Sequence, residues 1–214
     1  MESARLHRDV VLVDSLPLIG GQMVHSLIGL FCGVFGNGPE YRQLTHGIFD
    51  DIFRDLGPAG DLHFQPGHTK AFGEARVRAY GYPGRRQTRW IKGRHQLTTD
   101  QVRHGTRFED AVARTAWPIE LHDRSDGYVW EMFGPEHVHY VPLRAMTPPG
   151  AHNLVAAGRC VDGDAAALSS VWVMGPCAAM GAGAAHALDL AGRGSVHDVD
   201  LDRLRDRLIA NVSG

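Results

Sequence analysis

The 214-residue sequence has only three cysteines, and this scarcity limits the folds and sites that it can encode. Cys32, Cys160 and Cys177 are isolated in apolar or glycine-rich surroundings. A disulfide framework or a zinc ribbon needs more cysteines at closer spacing, so both are excluded and a reducing compartment is favoured. The net charge of −2 gives no basis for binding nucleic acid or an acidic membrane.

An apolar N-terminal run of the kind that begins a secretory signal peptide is also absent. Arg5, Arg8 and Asp9 interrupt the first residues with charge. Residues 165–188 contain no charged residue apart from histidine, and about 20 residues are enough to span a bilayer. Alanine, glycine and serine dominate this stretch and Pro176 breaks it, so we expect a buried strand, loop and helix. The sequence therefore predicts a cytoplasmic protein without a membrane partner.

Several catalytic loop motifs are missing. The sequence has no Gly-x-Ser-x-Gly elbow and no phosphate-binding loop, so hydrolase and nucleotidyl-transfer activities have no support. Hydrophobic residues make up 43% of the chain and charged residues 21%, which is typical of a globular protein. A chain of this length can bury one substantial core, and a single domain is expected.

The most informative residues are in the last third of the chain. Leu154–Ala157 is a short apolar run that ends at Gly158, and it predicts a buried strand. A helix is predicted to begin near Gly175, because Pro176 suits a first turn and small residues follow it. A strand that leads to a glycine, followed by a helix with little side-chain bulk at its start, is how α/β folds bind anions and cofactors.

Local patterns predict further elements, and the first is a short strand over the β-branched run Asp9–Asp14. Gln43–Leu56 has helical spacing, Thr98 is suited to cap a short helix, and Asp198–Ile209 is amphipathic with Leu201, Leu204 and Leu208 on one face. Phe108–Thr115 is predicted to be a short helix, and Tyr128–Tyr140 a hairpin around Gly134 and Pro135.

The segments Asn153–Cys160 and Val173–Leu188 resemble the C-terminal signature of the FAD-dependent oxidoreductase family with a glutathione-reductase-like flavin domain. Other segments follow the order of that family along nearly the whole chain: Val10–Asp14, Ile19–Gln22, Ile28–Gly33, Gly47–Ile52, Gly84–Ile91, Leu97–Asp100, Phe108–Arg114, Trp117–Asp123 and Tyr140–Arg144. Each motif is short, and their shared order makes the resemblance specific.

Two parts of the family pattern are not found. No Gly-x-Gly-x-x-Gly turn, which cradles the FAD pyrophosphate in the family, precedes Val10–Asp14, and Glu2–His7 resembles the end of the helix after that turn. The family's middle portion is missing between about Gly57 and Gly84, so residues 57–84 are expected to be a loop or bridge. We expect a shortened member with one α/β domain over residues 1–214. Its expected architecture is a reduced Rossmann-like FAD-binding core with a small, mainly parallel sheet and a β-hairpin accessory region.

The resemblance implies a set of FAD contacts: Asp14, Gly20, Gly21, Gly158, Arg159, Gly175, Pro176, Cys177 and Ala178. Asp14 corresponds to the acid that binds the adenosine ribose, and Arg159 offers charge-assisted hydrogen bonds near the ribityl and phosphate groups. The helix N-terminus at Gly175 would face the flavin pyrimidine edge. The alternative for each is structural: a strand-end acid, plain turns, a surface arginine and a tightly packed helix. Trp172 departs from the family, which commonly has arginine there.

His122, Tyr140 and Arg144 fall in family segments that face the substrate and flavin, and they are predicted to contact substrate or transfer protons. A metal site is the alternative for the histidines. His137 and His139 alternate on a predicted strand, and together with His122 they would need a carboxylate such as that of Asp123 or Glu136 to complete a site. Their spacing matches no strong metal signature, so no metal ligand is predicted.

By resemblance, the expected activity is FAD-dependent oxidation of a small organic substrate by hydride transfer to the flavin. The first alternative is a non-catalytic remnant or partner subunit of a flavoenzyme that binds no FAD by itself. The second is a histidine-based metal-dependent enzyme. The expected partners are a small-molecule substrate and either a second copy of the chain or a complementary subunit, because a shortened core leaves apolar faces uncovered.

Overall fold

The computed structural model of the chain describes residues 2–13, 31–40, 42–56, 58, 89–124 and 127–213. The chain divides into a major unit, formed by Met1–Val10, Phe31–Gly47 and Gln87–Gly214, and a minor unit, formed by Val11–Leu30 and Ile48–Arg86. Three predicted FAD contacts, Asp14, Gly20 and Gly21, lie outside the described residues, as does the predicted bridge over residues 57–84 apart from Pro58.

The described residues form seven α-helices: α1 Glu2–Arg5, α2 Ile48–Leu56, α3 Thr99–Arg103, α4 Ala165–Val171, α5 Met174–Ala191, α6 Leu201–Arg207 and α7 Ile209–Val212. They also form four strands: β1 Ala111–Thr115, β2 Ile119–Arg124, β3 Gly127–Glu131 and β4 His139–Pro142. Leu143–Ala145 and Val196–Asp198 are short 3₁₀ helices.

The strands form two separate antiparallel pairs, β1 with β4 and β2 with β3. One isolated parallel bridge joins Leu97 to Gly163. This mixture of helices and small sheets is compatible with the predicted α/β class. The mainly parallel sheet of the expected Rossmann-like core is not found among the described residues.

The pairing of the strands corrects two predictions. Phe108–Thr115 is not a helix, because Ala111–Thr115 forms β1, whose last four residues are buried. Tyr128–Tyr140 is not a hairpin: β3 turns back on β2, and β4 pairs with β1. Antiparallel pairing is decided by long-range burial, which local spacing does not report.

Two predicted strands are also wrong. Val10–Val13 and Leu154–Ala157 are not assigned to strands, and Val11 and Leu154 are 88% and 52% exposed. Ala156 donates one backbone hydrogen bond, to the Met146 carbonyl, which is a loop contact rather than a ladder. A strand needs a row of such bonds to a neighbour, so apolar composition alone does not form one.

Helix starts were predicted better, because their signals are local. The Thr98 side chain accepts from the Gln101 N–H while the Gln101 side chain accepts from the Thr98 N–H, which completes a capping box. The helix α5 begins at Met174, one residue before the predicted start. The predicted closing helix is present as α6 and α7, and Leu204 and Leu208 are buried as expected.

The helix α2 begins at Ile48 rather than at the predicted Gln43. Gln43 instead forms an antiparallel bridge with Phe35, and the N–H of Leu44 donates to the Val34 carbonyl. Gly47 then adopts a positive φ of 85°, which separates this extended segment from the helix.

The core of the major unit lies between α5 and the β1–β4 pair. Small residues recur at every fourth position of α5: Gly175, Ala179, Gly183 and Ala187. A Cβ atom on Gly183 would lie only 2.7 Å from the Val112 Cβ of β1, so the helix backbone approaches the strand more closely than any side chain would permit.

Within the described part of the chain, no single helix is long and apolar enough to cross a membrane. The helices α4 and α5 meet the criteria of length and composition only as a pair, and that pair is bent by 88°.

The two central glycines of α5 give a matched pair of substitutions. Gly183→Ala places a methyl group against Val112 and is expected to lower the free energy of unfolding by about 1–3 kcal/mol. Gly181→Ala, whose Cβ meets no atom within 4 Å, is expected to raise it by about 0.5–1 kcal/mol because alanine favours helix. Urea denaturation of both variants measures the difference, and equal effects would show that α5 does not pack on β1 as described.

Candidate functional site

The first turn of α5 lies against the turn that follows Leu154–Ala157. Gly158 has a φ of 82°, and a Cβ atom at this position would lie 3.6 Å from the Cys177 Sγ. The Cys160 thiol donates to the Ala157 carbonyl across this turn, at a distance of 3.3 Å. Two of the predicted FAD contacts, Gly158 and Cys177, are therefore neighbours in space.

The backbone of α5 makes a second close approach at Gly175. A Cβ atom on Gly175 would lie 2.2 Å from the Gly33 carbonyl oxygen, so only glycine fits. The N–H of Gly175 donates to the Cys32 carbonyl at 2.8 Å, and Gly33 itself has a φ of 73°. One first-turn donor of the helix is thus already bonded to protein, and Pro176 has no N–H to offer.

Cys32 and Gly33 lie in the family segment Ile28–Gly33, but the sequence alone predicted no role for either residue. The structure places both of them at the start of α5, where they hold Gly175. The Cys-Gly dipeptide was the sequence signal for a tight turn at this point, because glycine is the residue suited to a positive φ.

The remaining predicted contacts differ in exposure. Pro176 is buried, Ala178 is half-buried and Arg159 is exposed beside Gly158. Burial of the Cys177 thiol raises its pKa to about 12, and the neighbouring Cys160 acts in the same direction. The thiolate is the nucleophilic form of cysteine, so the raised pKa makes Cys177 a poor nucleophile and its role is in packing.

The three predicted substrate residues lie on three different elements. His122 is on β2, where its Nε2 is 2.8 Å from the Glu120 Oε1 and its ring stacks on Tyr128. Tyr140 is on β4 and is buried, directly opposite Arg114 of β1.

Arg144, in the 3₁₀ helix after β4, has a structural partner. Its guanidinium donates to both carboxylate oxygens of Asp110, at 3.0 and 3.2 Å, and its backbone N–H donates to the same group. These hydrogen bonds raise the pKa of Arg144. Asp110 is 3% exposed, so this pair fixes the end of β4 against the loop before β1.

A buried polar chain joins the two histidines considered for a metal. The His137 Nε2 is 3.1 Å from the His139 Nδ1, and the His139 Nε2 is 2.9 Å from the Ser170 Oγ. Ser170 donates its hydroxyl to the Trp117 carbonyl at 2.6 Å, so it accepts from the His139 Nε2–H and leaves His139 Nδ1 as an acceptor. Ser170 was not singled out from the sequence, because it lies in an apolar run.

This row of hydrogen bonds from His137 to Ser170 has a structural role. Ser170 and His139 are both fully buried, so the serine is not an exposed nucleophile. Burial, together with the charge of His137, lowers the pKa of His139 to about 3. Among the described residues no group of three or more His, Cys, Asp or Glu side chains has the geometry to hold a metal ion.

A family model described as FAD dependent oxidoreductase matches residues 62–208, which is 147 of the 214 residues. No curated protein and no solved structure matches the chain. The matched range includes the Gly158 turn, α5 and the three predicted substrate residues, whereas Cys32 and Gly33 precede it.

Because His139 is buried in its neutral form, stability depends on pH. The unfolded chain binds a proton below the ordinary histidine pKa of 6.5, whereas folded His139 does so only near 3. The free energy of unfolding is therefore expected to fall between pH 6.5 and 3, by up to about 1.4 kcal/mol per pH unit from this group. Urea denaturation of His139→Gln across this range should give a shallower slope. His152→Gln, at an exposed site, should keep the original slope, and an unchanged slope in His139→Gln would contradict the assignment.

Proposed function

This chain belongs to the FAD dependent oxidoreductase family, and on that premise we propose that it binds FAD and oxidises a small organic substrate by hydride transfer to the flavin. The observation that carries the proposal is the family match over residues 62–208, which contains the junction between the Gly158 turn and α5. The flavin supplies the electron-accepting chemistry, and the protein supplies binding, orientation and electrostatics.

The junction has the physical properties that a flavin nucleotide requires. Gly158 lies beside Cys177 in the first turn of α5, and its lack of a side chain favours the close approach of a ligand. The 18-residue helix α5 has a partial positive charge at this end, and such a charge stabilises an electron-rich ring or phosphate. Its contribution comes from that charge and not from the Gly175 N–H, which the Cys32 carbonyl occupies.

Arg159 is the charged residue proposed to hold the cofactor. It is exposed and directly follows Gly158 in the sequence, which supports its proposed contact with the cofactor. A guanidinium can form charge-assisted hydrogen bonds to phosphate oxygens, which are about twice as strong as neutral ones.

His122 and Tyr140 are proposed for the substrate side. The Glu120 carboxylate orients the His122 ring, of which 35% is exposed, so the imidazole is positioned for proton transfer. Arg144 is proposed to act as a positioning residue, because Asp110 holds its guanidinium. The cytoplasmic compartment and the association with a second copy or a complementary subunit stay predictions.

The proposal is tested by titrating the purified protein with FAD and following flavin fluorescence and heat release. We expect saturable binding, weakened about tenfold or more in Arg159→Gln, because a hydrogen bond to a charged group contributes about 1.5–3 kcal/mol. Arg193→Gln is the matched control, an exposed arginine beyond the other end of α5, and it should bind FAD like the original protein.

The outcomes separate the alternatives. Folded protein that gives neither a fluorescence change nor heat release would favour the non-catalytic remnant. Equal weakening by both substitutions would show a general charge effect and would remove Arg159 from the site.

A further inference from the structure

A cavity of about 400 Å³ opens in the major unit, and none of its residues belongs to the flavin junction. Its walls are formed by eight residues: Arg107, Phe108, Glu109, Ala111, Tyr140, Arg205, Val212 and Ser213. This volume is within the range of small-molecule sites, which is about 300–1,000 Å³. The lining combines apolar side chains with two guanidinium groups.

Tyr140 lies at the centre of a group of arginines. The Arg107 guanidinium lies over the Tyr140 ring, 5.4 Å from its centroid. Arg114 is directly opposite Tyr140 across the β1–β4 pair, and facing residues project from the same side of a sheet. Arg107 therefore contacts the ring, and Arg114 lies beside Tyr140 on the same face of the strand pair without lining the cavity.

Arg114 is an unusual residue for its position. It is 4% exposed, and within the described part of the chain it donates to two backbone carbonyls, those of Leu44 and Ala210. Its Nη1 finds no hydrogen-bond acceptor among the residues that the structure describes. A buried charge without a carboxylate partner is costly unless something else compensates it.

Burial is the main cause that lowers the pKa of Arg114. Tyr140 acts in the opposite direction, whereas the positive charges of Arg42 and Arg107 lower the pKa further. Arg205 adds a further guanidinium to the cavity, although Asp202 pairs with it at 2.9 Å and Glu109 also lines the wall. Guanidinium groups stay protonated at neutral pH, so Arg107 and Arg205 both carry charge at the cavity wall.

From this combination we propose that the cavity binds a small organic anion, with its carboxylate or phosphate group toward Arg107 and Arg205 and its apolar part against Phe108 and Tyr140. A guanidinium recognises a carboxylate or a phosphate by paired hydrogen bonds. The aromatic and aliphatic walls favour an anion with an apolar body over an inorganic one. Tyr140 is also proposed for the substrate side of the flavin, but binding of an anion in this cavity can be measured whether or not the protein binds FAD.

The experiment is a titration followed by calorimetry and by NMR, with three probes in separate arms. Benzoate has a carboxylate and an apolar ring, benzamide has nearly the same shape without charge, and inorganic phosphate has charge without an apolar body. We expect saturable binding of benzoate that is at least tenfold tighter than that of benzamide and of phosphate. Equal affinity for benzoate and benzamide, or for benzoate and phosphate, would overturn the proposal, as would the absence of benzoate binding.

Substitutions locate the site. Arg107→Gln and Arg205→Gln should each weaken benzoate binding about tenfold, and both residues are exposed, so the variants are expected to fold. Arg103→Gln is the matched control: Arg103 is also exposed, but it pairs with Glu131 and does not line the cavity. Unchanged benzoate affinity in both Arg107→Gln and Arg205→Gln, with urea midpoints like that of the original protein, would place any binding elsewhere and overturn the assignment.

Discussion

Backbone contact between Gly175 and Gly33 is the constraint on which the junction depends. The Gly33 carbonyl occupies the space that a Cβ atom on Gly175 would fill, and the Cys32 carbonyl accepts from the Gly175 N–H. Farther along the helix, Gly183 lets α5 meet Val112 of β1 with similar closeness. These contacts fix both the position and the direction of α5, so its first turn faces the Gly158 turn rather than solvent.

The same small residues that lower helix propensity therefore serve packing and the site together. Glycine in a helix interior costs about 1 kcal/mol relative to alanine, and α5 has such a residue at Gly181 and Gly183. Burial against the core offsets this cost where a close approach is needed, as at Gly183. At the N-terminal end, Gly175 is buried against Gly33 and Gly158 lies beside Cys177, which brings the start of the helix close to the Gly158 turn.

Local signals predicted the cap at Thr98 and the start of α5, but they missed the start of α2 and the helix α4, where a strand was expected. Thr98 and Gln101 form a capping box that any reading of four consecutive residues can find. Ala111–Thr115 has spacing that suits a helix, yet pairing with β4 and burial under α5 make it a strand. In the site, Gly158 does lie beside Cys177, although the strand expected before Gly158 is a loop. Two other contacts could not be predicted, because they join residues far apart in sequence. They are the packing of Gly175 on Gly33 and the hydrogen bond between His139 and Ser170.

The central claim is that FAD binds where the Gly158 turn meets the first turn of α5. Hydrogen–deuterium exchange with and without saturating FAD tests it most directly, because backbone amides at the contact should be protected. The account predicts slower exchange at residues 158–160 and 174–178, with little change in β2 and β3. Protection that spares the junction, or saturated binding that changes exchange only in other parts of the chain, would contradict it.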